Sequence, residues 1–71
     1  MRTNWRRVID DLDGVGVTLR SQADRAEVSL GTIYYWRQGG EPRHYNGQRL
    51  LDLYCIRLGH DAPLQTTLVS T

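Results

Sequence analysis

Gly31, Tyr34, Tyr35 and Gln38 fall at i, i+3, i+4 and i+7, so a helix over residues 30–38 carries them as one polar stripe. These side chains are suited to recognising a surface rather than to breaking bonds. A phenol hydroxyl donates or accepts a hydrogen bond, and a glutamine amide offers a donor beside an acceptor. The glycine lets another molecule approach the backbone closely. Groups for covalent chemistry are missing along the chain: there is no nucleophile–base pair, no metal-ligand quartet and no phosphate loop. His44 and His60 have no cysteine or carboxylate partner at metal-ligand spacing. Asp10, Asp11 and Asp13 form an acidic cluster that a solvated helix end explains. No enzymatic activity, cofactor, metal or small-molecule substrate is therefore expected, and a chain of 71 residues does not easily close a pocket.

Other elements must hold that stripe in place. On its far side Ile33 and Trp36 are apolar and predict burial, and Ser29 stands where an N-cap belongs. Upstream, Trp5, Val8, Ile9 and Leu12 predict an amphipathic helix over 4–12, capped by Thr3 or Asn4 and ended by Gly14 and Gly16. Arg6–Asp10 and Arg7–Asp11 are i,i+4 ion pairs on its outer face. Thr18 caps a second, short helix, with Leu19, Gln22, Ala23 and Ala26 at helical spacing and an end near Glu27. Gly39-Gly40-Glu41-Pro42 reads as a turn. Asn46 then caps a fourth helix to about Leu58, whose main apolar stripe is Leu50, Leu51, Tyr54 and Leu58. Leu53 and Ile56 make a second stripe, of the kind that marks a dimer interface; the alternative is a larger monomer core. The fold class expected is all-α: a compact domain of four helices, or five short ones, over 1–59. A tail over 60–71 follows, irregular or strand-forming, either loose or pairing with its copy across a dimer axis. Cys55 is expected to be buried or half-buried.

Composition agrees with a folded domain, since 39% of residues are hydrophobic and 24% charged. A single cysteine permits no internal disulfide, which fits a reducing cytoplasm. No apolar run approaches the roughly 20 residues of a membrane-spanning helix, and no long apolar stretch follows Arg2, Arg6 and Arg7, so neither a membrane partner nor a signal peptide is expected. All nine basic residues are arginine. The surplus lies in the middle: five arginines over residues 17–49 face Asp24, Glu27 and Glu41, a net +2. Arginine forks suit phosphates and base edges.

The stretch from Thr18 to Arg37 thus places two short helices about a tight turn, with small Ala23 at the crossing and Val28 plugging the turn. Ala23, Val28-Ser29, Thr32-Ile33, Trp36 and Gly39 resemble the Cro-like and lambda-repressor-like helix-turn-helix family of small phage and prophage regulators. Glu41-Pro42-Arg43, Gly47, Arg49-Leu50-Leu51 and Leu53-Tyr54 also look like many phage members, so the resemblance covers about residues 18–58. The chain departs from the family in having Glu27 where the turn usually has glycine, Leu19 where a polar residue usually contacts phosphate, and Gln22 where an apolar residue is usual. Either the second helix is rotated, or Leu19 takes the core role.

The resemblance implies a cytoplasmic, sequence-specific transcriptional repressor bound to double-stranded DNA through the helix at 30–38. Leu30, Gly31, Tyr34 and Tyr35 would lie at the major groove, and the helical face adds Gln38, which can pair with adenine. Thr18, Arg20, Ser29, Thr32, Arg37, Arg43 and His44 are the expected phosphate contacts. A homodimer would set two such helices about 34 Å apart on a palindromic operator. Two other readings stay open. One is a protein-interaction module, an antirepressor or host-factor inhibitor, that uses the Tyr34/Tyr35 face. The other is an excisionase-like architectural DNA-binding protein, for which a wing strand would be expected in place of the leucine-rich fourth helix.

Overall fold

The computed structural model describes residues 2–62, and these form four helices: α1 (Trp5–Gly14), α2 (Leu19–Ala26), α3 (Leu30–Arg37) and α4 (His44–Leu58). No strand occurs among the described residues. The expected strand or loose end within 60–71 falls largely at 63–71, outside them.

Each of the first three helices opens on a polar cap. Asn4 Oδ1 accepts from Arg7 N at 3.1 Å, Thr18 Oγ1 from Ser21 N at 3.1 Å, and Ser29 Oγ from Thr32 N at 3.2 Å. Each cap satisfies an amide that the helix leaves without a partner. The fourth start departs from expectation. α4 begins two residues before Asn46, with Arg43 as its N-cap and no capping side chain. Asn46 lies inside the helix and is used for a cross-link described below.

The first three helices also end alike. A residue in the left-handed region follows each: Gly16 (φ 93°), Glu27 (φ 62°) and Gly39 (φ 115°). The next residue's amide reaches back five positions, from Val17 to Leu12 O (2.9 Å), Val28 to Ala23 O (3.0 Å) and Gly40 to Tyr35 O (2.9 Å). This is the Schellman termination, which reverses the chain and satisfies terminal carbonyls. Gly14 therefore does not break α1, as its type suggested; it is the last helical residue, and the left-handed glycine is Gly16.

The core gathers Val8, Ile9 and Leu12 of α1, Ala23 and Ala26 of α2, Ile33 and Trp36 of α3, and Leu50, Leu53 and Tyr54 of α4, with Val17 from the first turn. Trp5 packs half-buried against it, its ring 6.1 Å from that of Trp36. Two expectations are corrected here. Leu53 is a core residue, only 3% exposed, and not a dimer-interface residue. α4 packs against both α1 and α2, so it needs a broader apolar face than one stripe. Cys55 is exposed rather than buried or half-buried, because it lies on α4's outer side beside Ile56, which is 72% exposed.

Gln22 is fully buried, and Leu19 is half-buried beside it, so α2 keeps its polar residue inside. Gln22 Nε2 donates to the carbonyls of Ile9 and Val17, both at 3.0 Å. A buried amide is tolerated where it meets such acceptors. The bond to Val17 ties the α1–α2 connection to α2. No helix is long and apolar enough to cross a membrane among the described residues.

Candidate nucleic-acid interface

The functional stripe is built by α3 and what grips it. Ile33 is fully buried and Trp36 is 3% exposed, and these two side chains fix the rotation of α3 against the core. That rotation leaves Tyr34 46% and Tyr35 62% exposed. Gly31 and Gln38 are also exposed, whereas Leu30 is half-buried. The predicted stripe is thus assembled except at its end. α3 stops at Arg37, and Gln38 is the cap that follows it.

Six of the predicted phosphate residues sit at helix starts. Thr18 caps α2, with Arg20 exposed in its first turn; Arg43 precedes α4, with His44 its first residue. Arg43 and Tyr35 line the same cleft, together with Thr32 and Asn46. Ser29 and Thr32 face each other at the start of α3, hydroxyl to hydroxyl at 3.0 Å.

Arg37 is placed differently from expectation. Its Nε donates to Asp10 Oδ1 at 2.7 Å, pinning α3 to α1. That hydrogen bond, and then the attraction of the opposite charge, raises the guanidinium pKa above its ordinary value. Arg37 is therefore a strut within the domain, its Nε already engaged by Asp10. Asp10 also faces Arg6 at 3.8 Å, and Asp11 faces Arg7 at 3.8 Å, the two i,i+4 pairs expected from spacing. Arg2 pairs with Glu41. Among the described residues Arg20, Arg25, Arg43 and Arg57 have no carboxylate partner.

A second group, unseen in the sequence, holds the turn between α2 and α3 from behind. Asn46 Nδ2 donates to Ala26 O at 2.7 Å, and Arg49 Nε donates to Arg25 O at 2.7 Å. Both acceptors are carbonyls at the C-terminal end of α2, where helix partners run out. Arg49 also lies 3.4 Å from Glu27 Oε2 and 5.7 Å from the centre of the Tyr45 ring. The Tyr45 hydroxyl is 3.3 Å from both Glu27 oxygens. The turn thus carries a left-handed glutamate where glycine is easier, and α4 engages that glutamate's side chain. The clue in the sequence was the i, i+1, i+4 set of Tyr45, Asn46 and Arg49, whose polar groups gain their partners only once α2 is packed against α4.

Among the described residues no three His, Cys, Asp or Glu side chains gather at one place. No protein-family model, curated protein or solved structure matches the chain.

Proposed function

We propose that this chain is a sequence-specific DNA-binding transcriptional regulator that lays α3 in the major groove. The observation that carries the reading is the opposition on α3: Ile33 and Trp36 are buried while Tyr34 and Tyr35 stand exposed, on a helix joined to α2 by a tight left-handed turn. A helix held by one side and polar on the other is what groove entry requires. The tyrosine hydroxyls can bond base or phosphate acceptors, and their rings can pack on a thymine methyl. Arg20, Arg43 and His44, at two helix starts, would meet the phosphates. Repression by occupying a palindromic operator as a homodimer belongs to this reading; of the two residues first assigned to that contact, Ile56 alone is exposed.

A second reading has its own support. Five of nine arginines are already paired with carboxylates, so few cations remain to meet a polyanion. A domain that uses the Tyr34/Tyr35 face against another protein fits that economy of charge. The excisionase-like alternative has less, since no wing strand occurs among the described residues.

Titration of salt against a random-sequence duplex separates the two main readings. DNA binding weakens with a log–log slope of about −0.9 per phosphate contacted. Absence of binding at low salt, or a flat response, overturns the DNA reading. Selection of bound duplexes from a random pool then gives the site, and a palindrome in it reports two-fold binding.

A further inference from the structure

The three Schellman turns differ in one respect. The residue after the left-handed position ordinarily supplies an apolar contact to the helix it closes. After α1 it is Val17 and after α2 it is Val28, both packed into or against the core. After α3 it is Gly40, which has no side chain to offer. The contact there is made the other way round, by the ring of Tyr35. A methyl group built on Gly40 would lie 2.3 Å from Cε2, 2.4 Å from Cδ2 and 2.6 Å from Cζ of Tyr35. Near-equal distances to three consecutive ring atoms put that position over the face of the ring. Gly40 does not need to be glycine for its backbone, because the left-handed residue of this turn is Gly39. The three heavy atoms nearest the place of a Cβ at Gly40 all belong to the Tyr35 ring.

We propose that Gly40 is a specificity-determining residue of the α3 interface: by leaving the space over the turn open it seats the Tyr35 ring there and fixes where the Tyr35 hydroxyl stands. The inference rests on the DNA reading given above and deepens it. Tyr35 is 62% exposed, and an exposed side chain ordinarily samples several rotamers. Lying across Gly40 restricts that freedom before any partner arrives, which favours discrimination between ligands. Gly40 itself touches no base in this scheme. It is a positioning residue, acting through Tyr35.

The test compares the wild type, Gly40→Ala, Tyr35→Ala and the double variant, first by proton NMR without DNA and then by selection from a random duplex pool. In the wild type the Gly40 Hα protons should be shifted upfield by the ring above them, and should return toward ordinary values in Tyr35→Ala. Gly40→Ala and Tyr35→Ala should alter preference at the same one or two base pairs, by roughly 5- to 150-fold, the range of one good base contact. The double variant should match Tyr35→Ala in both preference and melting temperature, since the ring that the added methyl would meet is then gone. If Gly40→Ala unfolds the domain but the double variant does not, the clash with the ring is confirmed. If the double variant also unfolds, the proposal fails, because Gly40 then serves the backbone. An unshifted Gly40 resonance overturns it whatever the DNA result. A wild type that selects a site which Gly40→Ala selects equally overturns it and leaves the DNA reading standing. A wild type that selects no site, with the upfield shift present, overturns the DNA reading and the specificity role with it, while the seat remains as a feature of the turn.

Discussion

The Tyr54 hydroxyl donates to Asp11 Oδ2 at 2.7 Å, joining α4 to α1 across 43 positions of the chain. Burial first, and then this hydrogen bond, pushes the phenol pKa from 10.0 up to about 12. The folded domain therefore holds that proton more tightly than the unfolded chain does. The stabilisation is full below pH about 10 and is lost as pH rises toward 12. Urea unfolding followed across this range should show the decline. Tyr54→Phe should remove this component of it, at a loss of about 1–3 kcal/mol near neutrality for leaving Asp11 short of a donor. An identical alkaline profile in the variant would refute the assignment.

Gln22 offers its amide NH2 to two carbonyls, but its buried Oε1 has no hydrogen-bond partner among the described residues. A carboxylate at that place would face the Ile9 and Val17 carbonyl oxygens. Gln22→Glu should fold only with the new carboxyl protonated and donating. Its folded pKa would then lie above the ordinary value of about 4.3. The variant should be stable in acid and lose stability as pH rises from about 4 through that raised pKa. Thermal melts at acidic and neutral pH decide it; equal melting temperatures would show that the site tolerates charge.

The hold of α4 on the turn yields opposite expectations for two neighbours. Asn46→Ala strands the part-buried Ala26 carbonyl and should cost about 1–3 kcal/mol. Glu27→Gly relieves a left-handed strain of roughly 1–2 kcal/mol. It gives up only exposed contacts to Tyr45 and Arg49, each worth at most about 1 kcal/mol. Denaturant midpoints should fall for the first variant, and should rise or hold for the second. A large loss in Glu27→Gly would mean that the exposed pair contributes far more than such pairs usually do.

Arg20→Ala and Arg43→Ala should leave folding intact, since neither arginine pairs with a carboxylate. Each should lower the salt slope of duplex binding by about 1 while weakening all sequences alike. Arg37→Ala should behave otherwise. It breaks the link to Asp10 and should change stability as well as binding. Slopes that respond equally to all three would contradict the distinction between strut and phosphate contact.

Much of this arrangement was legible in advance. Thr18 and Ser29 announce α2 and α3 because a cap is a local device, set by a few neighbouring atoms. The period of Ile33 and Trp36 against Tyr34 and Tyr35 gave the two sides of α3 for the same reason. What stayed hidden depends on residues far apart. Leu53 looked like an outer stripe until α2 and α1 were both placed against α4. Arg37 looked free until Asp10, 27 positions away, closed on it. Asn46 looked like a cap because its type favours caps, yet a tertiary acceptor, Ala26 O, engaged its amide instead. The seat of Tyr35 over Gly40 was equally invisible, since adjacent glycines read only as a turn.

The grip of Asn46 and Arg49 on the end of α2 makes the fourth helix a setting screw for the third. Small shifts along α4 would re-aim the tyrosines without any change in the tyrosines themselves. New preferences would thus arise without any substitution on α3, and engineering of this domain has a lever on a different helix from the one that carries the tyrosines.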